Sequence, residues 1–202
     1  MAGELTAKGR ATRSRIVQGA AAVLREKGVT AATLEDIMAR TMTSKSQLFH
    51  YFPAGKDELL LAVAQFEADR VLLDQQPYLG RLDSWEAWDE WRDVVIARYE
   101  AQGDQCPLGS LFLQVGRSTP GARAIVSGLM SRWQESLEAG IRALQTAGLL
   151  PRGVDAGLRA AALLAGIQGG VSILLSTGRS GHLRAALDQG IADLRGAAHT
   201  VA

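Results

Sequence analysis

Apolar residues recur at three- and four-residue intervals from one end of this 202-residue chain to the other, and no stretch of useful length alternates apolar with polar. That periodicity predicts an all-α fold of about nine helices, because each stripe must be buried against another helix. The first helix is expected from Arg13 to Lys27, capped by Thr12, striped by Ile16, Ala20, Val23 and Leu24, and ended by Gly28. Two short helices follow. Thr33 caps one, with Asp36 completing a capping box and Ile37 and Met38 facing inward. Ser44 caps the next, with Gln47 in the reciprocal position and Leu48, Phe49 and Phe52 on the apolar side.

After the break at Phe52-Pro53-Ala54-Gly55, a long helix is expected from Lys56 to Pro77, then one capped by Ser84 and running to Gly103. A short helical piece is expected over Leu108 to Val115. Further helices are expected from Pro120 to Gly148, from a cap at Asp155 through Thr177, and from His182 to Ala198. The organisation predicted is a small N-terminal domain over residues 1–55 and a larger helical domain over 56–202.

Charge becomes informative when the chain is split. The first 60 residues hold nine Lys and Arg against six acids, a net of +3, and all four lysines lie within the first 56 residues; the remainder carries a net of −2. A basic bias confined to one end fits a polyanion there or a solvated basic face. One cysteine, Cys106, excludes an internal disulfide framework and fits a reducing compartment. The N-terminus lacks an apolar signal core, so the expected location is the cytoplasm. Ala160 to Gly178 is uncharged and near the minimum spanning length, but its Gln, Ser, Thr and Gly content favours a buried helix over a membrane span.

The two short helices, joined by a turn of about three residues, have the spacing of a helix-turn-helix whose second helix enters a major groove. Lys45, Ser46 and Gln47 occupy the first turn of that helix, where side chains meet base edges: Gln pairs bidentately with adenine and Lys donates to guanine. Thr33, Ser44, His50, Tyr51 and Lys56 sit at surrounding helix ends and can hold phosphates, which sets register rather than sequence preference. Arg10, Arg13 and Arg15 can add backbone or minor-groove contacts. Phe49 and Phe52 are expected to pack the small domain's core.

The stretch from Ile16 to Val63 resembles the N-terminal domain of the TetR family of repressors. The resemblance rests on Ala20 to Leu24, Gly28, Thr33, Ile37, Ser44-Lys45, the segment from Ser46 to Pro53, and Lys56 to Leu60. It implies that the helix equivalent to Ser44 to Tyr51 reads operator DNA and that the helix beginning near Lys56 joins two domains. The family's usual turn before the reading helix is small-Gly-Val-Ser, whereas this chain has Thr41-Met42-Thr43-Ser44. If that turn needs a left-handed residue, Met42 costs about 1 kcal/mol.

Trp85, Trp88 and Trp91 recur at a three-residue step, and Phe112, Met130 and Trp133 lie on helices that can face them. Such aromatic walls suit either a plain core or an apolar or aromatic ligand; the resemblance implies a small-molecule effector between these helices, with Arg98, Tyr99, Gln114 and Gln168 as orienting groups. Cys106 to Ser110 resembles a segment found in part of the family, and as chemistry the lone thiol reads as a small buried hydrophobe. His50, His182 and His199 lack metal-ligand spacing, so neither metal nor cofactor is expected.

The last two helices carry Gly166, Gly169 and Gly170, and Ala185, Ala186 and Gly190, which suit a four-helix contact between two copies of the chain. The expected function is therefore a homodimeric repressor released by an effector. Two alternatives stay open: a DNA-binding dimer answering to a protein partner or to no ligand, and an enzyme using the aromatic cavity. The enzyme is disfavoured by the lack of a nucleophile-base pair, paired carboxylates or a phosphate loop.

Overall fold

A computed structural model describes residues 5–102 and 120–199. The described residues form eight α-helices: α1 (Ala7–Ala31), α2 (Leu34–Thr41), α3 (Lys45–Tyr51), α4 (Lys56–Leu73), α5 (Trp85–Gln102), α6 (Pro120–Thr146), α7 (Ala156–Thr177) and α8 (Gly181–His199), with one 3₁₀ turn at Tyr78–Gly80. No strand occurs among them, as the periodicity requires. The expected helix over Leu108 to Val115, with Cys106, Phe112 and Gln114, lies outside the described residues.

Most caps sit where the sequence places them. Thr33 and Asp36 exchange both bonds of a capping box, and the Ser44, Ser84 and Asp155 side chains each accept from a backbone amide three residues on. The first helix departs from expectation. It starts six residues early, capped by Thr6, whose hydroxyl accepts from the Gly9 amide, while Thr12 sits inside and donates to the Lys8 carbonyl. Gly28 does break it, with φ +77°. α4 ends at Leu73 rather than running on to Pro77.

The chain divides into two compact units. In the first, Ile16, Ala20, Leu24, Ile37, Leu48, Phe52, Leu59 and Val63 close one core from α1 to α4, with Ile125 of α6 packed against it. Leu48 and Phe52, four residues apart, anchor α3. Phe49 does not join them: it is 39% exposed and turns its ring toward Gly55. A seven-residue helix has one buried line, and the Leu48/Phe52 spacing fills it. An ion pair between half-buried Arg25 and buried Glu67, Nη1 to Oε1 at 2.7 Å, ties α1 to α4 inside this unit.

In the second unit, Trp88, Trp91 and Trp133 are fully buried with Leu129, Leu137 and Ile141. Trp88 and Trp91 meet edge to face at 5.7 Å. Both indole N–H groups are satisfied, Trp88 by the Leu82 carbonyl at 3.1 Å and Trp91 by the buried Gln75 Oε1 at 2.8 Å. One helix, α7, is long and apolar enough to cross a membrane by length and composition. Its Leu163, Leu164, Ile167, Val171 and Leu174 are buried, and α8 packs closely on it because glycine permits the approach. A Cβ on Gly170 would overlap the Leu183 backbone, and one on Gly190 would overlap the Leu163 side chain. Three of the small residues read as suiting a contact between copies, Gly166, Gly170 and Gly190, thus lie where the two helices of one chain meet, while Gly169 faces open space.

Candidate nucleic-acid interface

The interface begins with how α3 is held. Ser44 is extended at φ −71°, ψ 159°, its hydroxyl accepting from the Gln47 amide at 3.2 Å; the oxygen is used as an acceptor and the hydroxyl proton remains free to donate outward. With Leu48 pinned in the core, Lys45, Ser46 and Gln47 are all exposed on the first turn. None of these three side chains has a hydrogen-bond or ionic partner among the described residues.

That contrasts with most of the basic residues of α1, α2 and α4. Lys27 pairs with Asp36 at 2.6 Å, Arg40 grips Glu26 with two bonds of 2.8 and 3.2 Å, and Arg25 holds Glu67. Arg10 donates to the Leu5 carbonyl, Arg15 to the Thr41 carbonyl, and Arg13 lies over the Phe52 ring, 4.9 Å from its centre. The basic excess at this end is thus largely spent on joining helices, and Lys45 keeps an unpaired charge on the face of α3.

Lys56 Nζ donates to the Ala32 carbonyl at 2.6 Å, which brings it beside Thr33 at the start of α2. There the Thr33 hydroxyl accepts from the Asp36 amide and the Asp36 carboxylate accepts from the Thr33 amide, both at 3.1 Å. The Lys27 ammonium and then the Thr33 amide hold the Asp36 carboxyl down at about 2 from an ordinary 3.8. At the far end of α3, His50 and Tyr51 stack edge to face at 4.9 Å, His50 exposed and Tyr51 half buried against the core.

The turn entering α3 is left-handed at Met42, with φ 47° and ψ 48°, and Met42 is 88% exposed. The Thr43 amide reaches back to the Met38 carbonyl at 3.0 Å and the Met42 amide to Ala39 at 3.4 Å. These are the two bonds of a helix end that ordinarily places glycine at the left-handed position. The turn therefore keeps its geometry without its usual residue.

In the second unit the aromatic candidates separate. Trp88, Trp91, Tyr99 and Trp133 are buried, Met130 and Gln168 are half buried, and half-buried Trp85 lies under the Arg195 guanidinium, 5.3 Å from the ring centre. Trp133 differs from its neighbours in one respect: its buried Nε1 has no hydrogen-bond partner among the described residues.

A short capped α3 with an unpaired donor face, carried on the core that α1 to α4 close together, has the arrangement of a helix-turn-helix DNA-binding protein. Residues 16–63 match the family model for bacterial regulatory proteins of the tetR family, and residues 83–190 match that for a tetracyclin repressor-like C-terminal domain. The chain belongs to the TetR family of DNA-binding transcriptional regulators.

Its relatives include an uncharacterised helix-turn-helix transcriptional regulator of Mycobacterium tuberculosis, 24% identical over 129 residues, a match covering 61% of this chain and 66%, just under two thirds, of that protein. TtgW of Pseudomonas putida is 35% identical over 101 residues, covering 50% of this chain and 70% of TtgW. Two solved structures share the fold: a TetR transcriptional regulator from Chloroflexus aurantiacus (TM-score 0.74, 22% identity, 93% of this chain and 96% of that one) and SmeT, the repressor of the Stenotrophomonas maltophilia multidrug efflux pump SmeDEF (TM-score 0.67, 22% identity, 90% and 89%).

Proposed function

We propose that this regulator is a homodimeric repressor in the cytoplasm that grips operator DNA through α3 and is released by a small apolar or aromatic molecule bound in the larger domain. The division of labour follows residues 1–55 for DNA, with Lys56 at the boundary adding a backbone contact, and the rest of 56–202 for effector and dimer contacts. The observation that carries the DNA half is the exposed, unpartnered trio Lys45, Ser46 and Gln47 on a helix fixed by Ser44 and Leu48. Lys45 and Gln47 read base edges, while Ser44, Thr33, Lys56, His50, Tyr51 and Arg13 meet the phosphate backbone.

Dimerisation is supported by a line on α7 left uncovered in the single chain. Leu158, Ala162, Ala165, Gly169 and Ser172 alternate four- and three-residue steps, all exposed, with Leu158 66% exposed. That spacing forms a straight seam along a helix, and a twofold copy would bury it. Dimerisation through α7 and α8 sets two reading helices about one DNA turn apart. Burial of a helix seam, not a bilayer, then accounts for the apolarity of α7.

The effector reading rests on Trp133. A buried indole N–H left without a partner costs about 1 to 3 kcal/mol, which an effector carrying a hydrogen-bond acceptor would recover. Trp85, Trp88, Trp91, Tyr99, Met130 and Gln168 are the remaining candidates, together with Phe112, which lies outside the described residues. Effector binding acts by favouring a state in which the reading helices no longer match the operator.

The test is titration onto the DNA upstream of the protein's own gene. Binding is expected to be tight and steeply salt-dependent, and Lys45→Ala or Gln47→Ala is expected to erase the preference over a scrambled duplex. A preference left intact by both changes would refute the assignment of α3. Tryptophan fluorescence that is unmoved across a broad panel of aromatic compounds would refute the effector.

A further inference from the structure

Thr41, at the end of α2, has a carbonyl with no place in the helical ladder. Arg15, the ninth residue of the neighbouring helix α1, donates to that carbonyl. The side chains around it form a small buried network: the Thr41 hydroxyl donates to the Ile37 carbonyl at 2.7 Å, and the Thr43 hydroxyl lies 2.9 Å from Thr41 Oγ1 and 3.2 Å from the Thr41 carbonyl oxygen. The Thr41 methyl fills the notch over Gly19 of α1. Every one of these contacts acts on the residues that flank Met42, and none acts on Met42 itself, whose side chain is exposed.

The arrangement answers a specific difficulty. A left-handed residue bearing a side chain persists only where its surroundings determine it. Ser44, which caps α3, follows two residues later, so relaxation of Met42 to a right-handed conformation would re-aim the start of the reading helix. A guanidinium at the carboxyl end of α2 also suits the local field, since helix C-termini attract positive charge.

We propose that Arg15 is a positioning residue for DNA reading: by donating to the Thr41 carbonyl it holds Met42 left-handed and so fixes how α3 presents Lys45 and Gln47. The inference rests on the assignment of α3 as the reading helix. It places Arg15 behind the interface instead of on a phosphate, although its charge and position at the basic end of the chain would suggest the latter.

The two roles differ in what they do to salt dependence and specificity. Arg15→Ala, Arg15→Lys, Met42→Gly and the Arg15→Ala/Met42→Gly pair would be titrated against the upstream operator and a scrambled duplex over a potassium chloride series, with thermal melts of each variant. Arg15→Ala is expected to lower the operator preference about tenfold, the factor matching the left-handed penalty. Its salt slope and scrambled-DNA affinity stay unchanged. Arg15→Lys, whose ammonium can also donate, restores most of the loss. In the Met42→Gly background, where the turn is left-handed without help, the same Arg15→Ala change costs less than about threefold.

A salt slope reduced by about 1, with both duplexes weakened alike, would make Arg15 a phosphate contact and overturn the proposal. So would an unchanged preference in Arg15→Ala, or a loss undiminished by Met42→Gly. If Arg15→Ala alone melts below the assay temperature, the comparison of Met42→Gly with the pair decides in the same way. Gln47→Ala and Lys45→Ala run alongside: a preference insensitive to both removes the α3 assignment, and the proposal with it, whereas sensitivity there with any of the Arg15 outcomes just named counts against the proposal alone.

Discussion

Gly19 of α1 exists as glycine because of Thr41 of α2: a Cβ at Gly19 would overlap the Thr41 methyl, so the two residues fit one another like a step and its riser. α1 and α2 can therefore approach at the point where the turn into α3 begins.

This pairing sets the first prediction. Gly19→Ala is expected to destabilise the folded chain by about 2 kcal/mol, since Thr41 is buried and cannot move aside. Thr41→Ser, which removes the methyl and keeps the hydroxyl, is expected to recover at least about 1 kcal/mol of that in the double variant. Urea unfolding of the four proteins of the cycle measures the coupling, and strictly additive effects would refute it.

Gly170 and Gly128 make a second test, because both lie inside helices and only one is crowded. Gly170→Ala drives a methyl into the Leu183 backbone and is expected to cost about 2 kcal/mol despite its better helix propensity. Gly128→Ala meets nothing and is expected to stabilise by about 0.5 to 1 kcal/mol. Opposite shifts in melting temperature are the required result.

Gln75 is buried and serves the Trp91 indole N–H at 2.8 Å while donating to the Val71 carbonyl at the same distance. Gln75→Met keeps the volume and strands the indole. The expected loss is about 2 kcal/mol. Adding Trp91→Phe, which deletes the stranded N–H, is expected to cost less than the sum of the two single changes, as chemical denaturation would measure.

The Asp36 carboxyl gives a pH signature. Its value is lowered to about 2 from 3.8, chiefly by the Lys27 ammonium and next by the Thr33 amide. A carboxylate whose value falls on folding adds stability above its unfolded value, and that contribution disappears as pH drops through the folded one. The α2 capping box should therefore weaken between about pH 4 and 2. A carboxyl titration followed by NMR is expected to place Asp36 at about 2, and Lys27→Met to move it upward toward 3.8. An unmoved midpoint in Lys27→Met would refute the pairing.

What was legible in the sequence was what is local. Thr33, Ser44, Ser84 and Asp155 announce their helices because a capping side chain reaches only two or three residues ahead. Thr6 escaped notice because Ala7 to Thr12 carries no apolar stripe, and Thr12 makes an equally good cap on paper. Phe49 was misplaced because seven residues span barely two turns, too few for a period to separate the buried line at Leu48 and Phe52 from its neighbour. The Met42 turn was visible as a departure from the family's glycine. Its compensation was not, since Arg15 and Gly19 meet Thr41 from more than twenty residues away. For the same reason no local pattern paired Arg25 with Glu67 or Trp91 with Gln75.

The Arg25–Glu67 bond carries a mechanical consequence. Glu67 is almost wholly enclosed, and drawing α4 away from α1 would strand its carboxylate without a counter-charge, a change that ordinarily costs several kcal/mol. A twist applied along the first turns of α4 will accordingly carry α1 with it, like a key in which the shaft and the bit are cast together.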